Sequence, residues 1–214
     1  MQQVYDAQQS KAPGILDTSQ IDLLANVLSR SFHDNPNFVY MIPDEGTRRT
    51  LSPWFFRSAI RATQLYGEIY TTETIDGGAL WFSPEQHLTF EQMVRTGMVE
   101  MPFNLGWSTL KRCMKLGASV DEVRKRLAVG SHWYLVALGV ERTKQGDAIG
   151  SALIEPILSR ADAAGLPCYL DTFDERDLPL YKRHGFRITG AGSISGGGPN
   201  FWAMTRVPAK NPPE

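Results

Sequence analysis

The segment from His132 to Leu158, HWYLVALGVERTKQGDAIGSALIEPIL, constrains the architecture of this chain more than any other stretch. It opens on a near-continuous apolar run from Trp133 to Val140, the pattern of a strand buried on both faces. A polar, glycine-bearing loop follows, from Glu141 to Gly150. Apolar residues then recur at helical spacing, at Ile149, Leu153, Ile154, Ile157 and Leu158. Strand, tight loop and helix in that order set several backbone N–H groups at the positive end of a helix dipole. Such an arrangement is a ready site for an anion.

The rest of the chain supplies the partners for this unit. Residues 1–13 read as a loose leader, and Gly14-Ile15-Leu16 as a short first strand. Asp17 or Thr18 is placed to cap a helix whose apolar face is Ile21, Leu24, Val27, Leu28 and Phe32. That helix is expected to end at His33-Asp34-Asn35-Pro36-Asn37, because the residue before a proline disfavours helix. A second helix is predicted over Arg48 to Tyr66, with Trp54, Phe55, Ala59 and Ile60 inward. Glu68–Thr72 and Ala79–Phe82 read as antiparallel strands joined across Asp76-Gly77-Gly78.

Residues 89–128 then form an expected helical insertion, with helical segments at Phe90–Glu100, Trp107–Leu116 and Val120–Leu127. Its methionines, Met93, Met98, Met101 and Met114, read as pliable core filling. After the central unit come a strand at Cys168–Thr172, a short helix at Asp177–His184 and a strand from Phe186 to Ile188. A glycine-rich link at Gly190–Gly198 leads to a last strand at Phe201–Arg206. Residues 207–214 read as a disordered tail. The sum is a single domain over residues 14–206, of mixed α/β (α+β) class, with helices on both faces of one sheet.

Composition excludes several classes. A net charge of -1 with no basic block is the wrong balance for a nucleic-acid binder. No apolar run approaches the ~20 residues of a membrane span, and the N-terminus lacks an apolar signal core, so a cytoplasmic protein is expected. The two cysteines, Cys113 and Cys168, read as free thiols, and the four histidines show no metal-ligand spacing.

Three phosphate-loop patterns compete for the central loop. A Walker loop needs a Gly-Lys pair that is absent here. A dinucleotide fingerprint comes closest at Gly190-Ala191-Gly192, but a strand follows rather than a helix. The third pattern, Gln/Arg-x-x-Gly-x-Gly/Ala between strand and helix, is present as Gln145-Gly146-Asp147-Ala148-Ile149-Gly150, with Ser151 next.

This third pattern resembles the coenzyme A loop of the GNAT-type N-acetyltransferases. Tyr181-Lys182-Arg183-His184-Gly185-Phe186 is similar to that family's Tyr-x-x-x-Gly-Phe segment. Leu170-Asp171-Thr172 with Asp177-Leu178-Pro179-Leu180-Tyr181 is similar to its Leu-Glu-Thr and Asn-x-Pro-x-Tyr run. The ending from Gly198 to Arg206, the Asp34-Asn35-Pro36 bend and Trp81-Phe82-Ser83-Pro84 resemble the puromycin N-acetyltransferase branch. The likeness is strong from Trp133 to Arg206 and weak upstream.

The resemblance implies a mostly antiparallel sheet with one splayed parallel strand pair, and acetyl-CoA as cofactor. It implies that Gln145, Gly146, Asp147, Ala148, Ile149, Gly150 and Ser151 hold the pyrophosphate, and that Leu138, Gly139 and Val140 meet the pantetheine arm. Asp177 is implied on the cofactor side, with the Val140 amide polarising the thioester carbonyl. Tyr181 is implied as hydrogen-bond donor to the departing thiolate. Asp171 is the preferred base for the incoming ammonium, ahead of Glu141 and His132. His33 and His184 read as surface or helix-end histidines, and Cys168 as core.

Two departures bear on affinity: Ala148 stands where glycine is usual, and Asp147 where a basic or neutral residue is usual. The expected partner is a small-molecule primary amine, attacked directly without an acyl-enzyme. The alternatives are a non-catalytic acyl-CoA sensor, an acyltransferase for longer chains, and a nucleotide-dependent enzyme. Oligomeric state is open, a homodimer being one arrangement.

Overall fold

A computed structural model describes residues 12–84, 86, 106–146 and 148–209. The leader, the predicted helix at Phe90–Glu100, Met93, Met98, Met101, Asp147 and the end of the tail lie outside the described residues.

Seven strands form one sheet in the order β1-β2-β3-β4-β5-β7-β6. They are β1 (Gly14–Ile15), β2 (Gly67–Thr71), β3 (Gly77–Phe82), β4 (Trp133–Val140), β5 (Cys168–Thr172), β6 (Arg187–Ser193) and β7 (Asn200–Arg206). Every neighbouring pair is antiparallel except β4–β5. The helices are α1 (Ile21–Ser31), α2 (Pro36–Met41), α3 (Glu45–Tyr66), α4 (Trp107–Leu127), α5 (Ile149–Ala164) and α6 (Leu178–Arg183). Helices cover both faces of the sheet, as the apolar pattern of β4 requires.

One face carries α5 and α6. There Leu153, Ile154, Ile157 and Leu158 pack on Trp81, Leu135, Leu170 and Met204. The opposite face carries α1 and α3, with Leu24, Leu28, Phe56 and Ile60 against Ile69 and Leu80. α4 covers the end of that second face, over Tyr169, Phe201 and Ala203. No helix among the described residues is long and apolar enough to cross a membrane.

Asp17 caps the turn before α1, and Gln20 completes a capping box. Two helix starts differ from expectation. The Asp34-Asn35-Pro36 bend does end α1, but Pro36 also opens α2, with Asn35 as its cap. Proline is well placed at a first helical position because the N–H it lacks has no partner there. Asp44 caps α3, so that helix starts at Glu45 rather than Arg48. Trp107–Leu116 and Val120–Leu127 join as one helix through Gly117. Met114 was expected in the core; it is 66% exposed, off the Thr109, Val120 and Val123 stripe that α4 buries.

Glycines account for two further corrections. Gly77 and Gly78 are not the hairpin turn; they lie inside β3. The turn is formed by residues 72–76, where the Thr72 hydroxyl accepts the Asp76 N–H at 2.8 Å and Ile75 adopts φ 54°. Gly78 faces Gly139 of β4 across the sheet. A Cβ on Gly78 would sit 2.7 Å from Leu24, and one on Gly139 2.7 Å from Leu28. This glycine pair lets α1 lie flush on the sheet. Likewise Gly190 and Gly192 belong to β6, not to a flexible link; a Cβ there would meet Leu127 at 2.5 Å and the Phe201 ring at 2.6 Å.

The feature that positions the site is in β4. Its pairing with β3 skips Val136: Trp81 faces Leu135 and Leu80 faces Ala137. A bulge of this kind bends the strand and increases its twist. The bend comes directly after the last residues paired with β5, Leu135 and Leu170. Beyond that point Ala137 to Val140 pair only with β3, and Asp171 and Thr172 only with β7. The two parallel strands therefore part, as the sequence resemblance implied.

Candidate active site

A groove of about 590 Å³ opens where β4 and β5 diverge. It is lined by Leu138 and Val140 of β4, Gln145 and Gly146 of the loop, Gly150 of α5, and Leu180 and Tyr181 of α6. The loop expected to hold an anion is thus open to a cavity rather than sealed under side chains. Gly146 adopts φ 96°, a conformation that glycine enters freely, and its neighbour Gln145 donates its side-chain amide to the Val140 carbonyl at 3.1 Å. Ala148 takes φ -68°, ψ 4° and leads straight into α5, so a glycine is not needed there.

Of the other residues assigned to the cofactor, Gly139 does not line the groove; a Cβ on it would meet Leu28, Phe32 and Ser31 of the α1 end. Ile149 packs against the core beneath α5. Ser151 does not line the groove; its hydroxyl meets His184 Nε2 at 2.8 Å. His184 is accordingly a helix-end residue but not a surface one, its side chain being 18% exposed. Asp177 lines the groove and bonds to the Thr172 hydroxyl at 3.2 Å. Burial, reinforced by the Asp174 carboxylate, pushes the Asp177 carboxyl up to about 6.

Tyr181 is 6% exposed and lines the same groove. Its ring packs edge-on to Phe186, 6.0 Å between centroids. Its hydroxyl has no hydrogen-bond partner among the described residues, which leaves the proton for a ligand. Burial, and then the nearby Asp177 charge, raises the phenol well above its ordinary value. The phenol therefore stays protonated, able to donate a hydrogen bond and unsuited to act as a base.

Asp171 lies apart from these residues. It follows Leu170, the last residue paired with β4, and shares the opposite sheet face with Tyr169. Its carboxylate accepts from the Tyr169 hydroxyl at 2.8 Å and the Tyr134 hydroxyl at 3.3 Å. The Arg124 guanidinium sits 5.0 Å over the Tyr134 ring. Burial raises Asp171 to about 7; the two phenols and Arg124 oppose that shift without cancelling it. Tyr181 and Asp171 thus flank the parted strands from opposite faces.

The other base candidates are placed less well. Glu141 is held by Arg30 at 2.6 Å, which lowers its pKa. His132 precedes the far end of β4 and is buried, with Nδ1 2.8 Å from the Gly130 carbonyl. Cys168 is buried in the core and burial pushes its thiol up to about 12, the reverse of a nucleophile's need; Cys113 is also free. Among the described residues no acidic, histidine or cysteine group could hold a metal ion.

Several groove residues escaped the sequence reading. Ser31, Phe32, Asp34 and Asn35 reach the site from the end of α1, and Asp174, Arg176 and Arg183 form its far rim. Arg142 also lines the groove; it is occupied by Asp34 at 2.5 Å, and Arg176 by Asp174 at 2.6 Å. No spacing rule links Asp34 to Arg142 across 108 residues; only the Asp34-Asn35-Pro36 bend marked the region.

No family model matches the chain. It is 28% identical over 170 residues to an uncharacterised N-acetyltransferase of Schizosaccharomyces pombe, covering 76% of this chain and 68% of that protein. A structure from Corynebacterium glutamicum described as histone acetyltransferase HPA2 and related acetyltransferase superposes with TM-score 0.63. It is 23% identical and covers 94% of this chain and 99% of its own. Arylalkylamine N-acetyltransferase 2 of Aedes aegypti gives a TM-score of 0.61 at 12% identity, over 91% of this chain and 97% of its own. Sheet order, the single parallel pair and these superpositions agree: the chain has the fold of the GNAT-type acetyltransferases.

Proposed function

We propose that this protein is an acetyl-CoA-dependent N-acetyltransferase that acts on a primary amine of a small molecule. The observation that carries the reading is Tyr181, a buried side chain whose hydroxyl has no hydrogen-bond partner among the described residues and which lines a groove that also meets the first turn of α5. The chain residues fit the cofactor chemically. The N–H groups at Gly146 and the start of α5, unpaired among the described residues, suit a diphosphate, and the edge of β4 left unpaired by β5 suits the amides of a pantetheine arm. Acetyl-CoA, when bound, would supply the thioester carbonyl as the electrophile.

The residues then divide the work. The Val140 N–H, at the end of the open edge, polarises the thioester carbonyl as charge builds on its oxygen. The amine enters from the face of Asp171, which accepts the ammonium proton directly or through water. Its C–N bond forms by direct attack as the C–S bond breaks. Tyr181 donates a hydrogen bond to the departing sulfur. A thiol near ~8.5 is a stronger acid than a phenol near ~10, and burial widens that gap. The Tyr181 proton therefore stays largely on the phenol; the new amide nitrogen sheds its remaining extra proton to solvent, and the thiolate takes its final proton from there.

The Gly198–Arg206 ending and the Asp34-Asn35-Pro36 bend favour a place beside the puromycin N-acetyltransferase-like enzymes. The relatives also include a Drosophila polyamine N-acetyltransferase whose described product is N-acetylagmatine, consistent with an amine acceptor here. The test is an amine panel, polyamines and aminonucleosides included, with free thiol followed in the presence of acetyl-CoA. Amine-dependent thiol release is expected. Coenzyme A binding with no release from any amine would favour a sensor instead.

A further inference from the structure

The hydrogen bond between Ser151 and His184 joins the two halves of the groove from behind. Neither residue lines the groove, yet each is next in the chain to one that does, Gly150 and Arg183. Ser151 is in the first turn of α5, and His184 closes α6, the helix that carries Tyr181. The other ring nitrogen, Nδ1, faces Glu155 one turn further along α5, at 3.8 Å. The other charges that act on the ring are Arg183 at the end of α6 and Arg206 on β7. Arg206 donates from Nε to the His184 carbonyl at 2.9 Å and grips Asp162 of α5 with both terminal nitrogens.

A neutral imidazole has one N–H for two acceptors, Ser151 Oγ and the Glu155 carboxylate. When that proton faces Glu155, Ser151 must give its own hydrogen to Nε2. An imidazolium serves both acceptors and leaves Ser151 its hydrogen. Burial, aided by Arg183 and Arg206 against the pull of Glu155, holds His184 below its ordinary range. The empty protein therefore carries it neutral at pH 7. Negative charge at the end of α5 acts in the opposite direction, by roughly one pKa unit per charge at about 10 Å in a partly screened setting.

We propose that His184 is a proton-linked positioning residue: docking of a diphosphate on α5 drives its ring to imidazolium, which donates to Ser151 and Glu155 together and holds α6 on the first turn of α5. The inference rests on the coenzyme A reading of the groove. It makes cofactor affinity rise as pH falls from 8 toward 6.5, by about 2- to 4-fold for a shift near one unit. Asp177 titrates in the same range and faces the same groove, so proton uptake alone does not assign the group.

The test is a histidine Cε1–H NMR titration of the full chain, free and saturated with coenzyme A, with the resonance assigned by His184→Gln. Dephospho-coenzyme A serves as a second probe, because it lacks the phosphomonoester that titrates near 6. The His184 pKa is expected to rise by about one unit or more with both probes, and the pH slope of affinity to flatten in His184→Gln. A saturated complex in which His184 moves by less than ~0.3 units overturns the proposal and leaves the acetyltransferase reading intact. Absence of any coenzyme A binding removes both. Should His184→Gln fail to fold, through-bond assignment in the unaltered chain yields the same pKa.

Discussion

Tyr181 and Asp171 are opposite solutions to one problem, a polar group held against a hydrophobic wall. In Tyr181 burial favours the neutral phenol and so secures a donor at any physiological pH. Tyr181→Phe is expected to cut turnover by ~10² while coenzyme A binding and melting temperature hold, as steady-state kinetics and calorimetry will read. In Asp171 burial works against the ionised form the reaction needs. The rate should rise about tenfold per pH unit below about 7 and level off above it; Asp171→Asn should be slow and without that limb. The same group affects stability in the reverse sense. Its folded pKa, about 7, lies above the unfolded value near ~3.9, so the folded state holds a proton that the unfolded state releases between those limits. Its contribution is full below ~3.9 and is lost as pH rises to about 7, a slope that denaturant midpoints should show and Asp171→Asn should lack.

At the scale of elements, what the sequence made legible was periodicity and ordered spacing. The β4–loop–α5 unit, the cap at Asp17 and the helix bearing Tyr181 all follow from local patterns that the structure preserves. Glycine was harder to read, because a turn and a close approach leave the same letter. Gly77-Gly78 looked like a hairpin turn, yet both residues sit inside β3, and Gly78 with Gly139 admits α1. The face on which Asp171 stands was also hidden, since both faces of this sheet are covered and neither alternation nor polarity separates them. Gly139→Ala is expected to cost about 1–3 kcal/mol by pressing on Leu28 and Phe32. It should also weaken coenzyme A binding, because Ser31 and Phe32 at the end of α1 line the groove. Urea melts and a binding isotherm on one variant check both effects.

At the scale of the molecule, the groove is a seam where two cores meet. α5 and α6 contribute one wall, the end of α1 another, and the parted strands lie between them. A ligand filling that seam ties the cores together. Coenzyme A at about 100 times its dissociation constant should stabilise the fold by about 2.7 kcal/mol, seen as a rise in melting temperature of several degrees. Inorganic phosphate at equal concentration, lacking the pantetheine arm, should do far less.

Val136 decides whether that seam exists. Because it is the one residue inside the β3–β4 ladder that β3 does not match, every later position in the strand is counted from an odd frame. Delete it and the ladder becomes regular: Leu135 and Ala137 follow one another opposite Trp81 and Leu80, Leu138, Gly139 and Val140 keep their faces, and a straightened strand would zip onto its parallel neighbour. Composition, loop and tyrosine would all survive such a deletion, and the doorway would not. An aperture made by miscounting is invisible to any search for reactive side chains, and a single codon can close it.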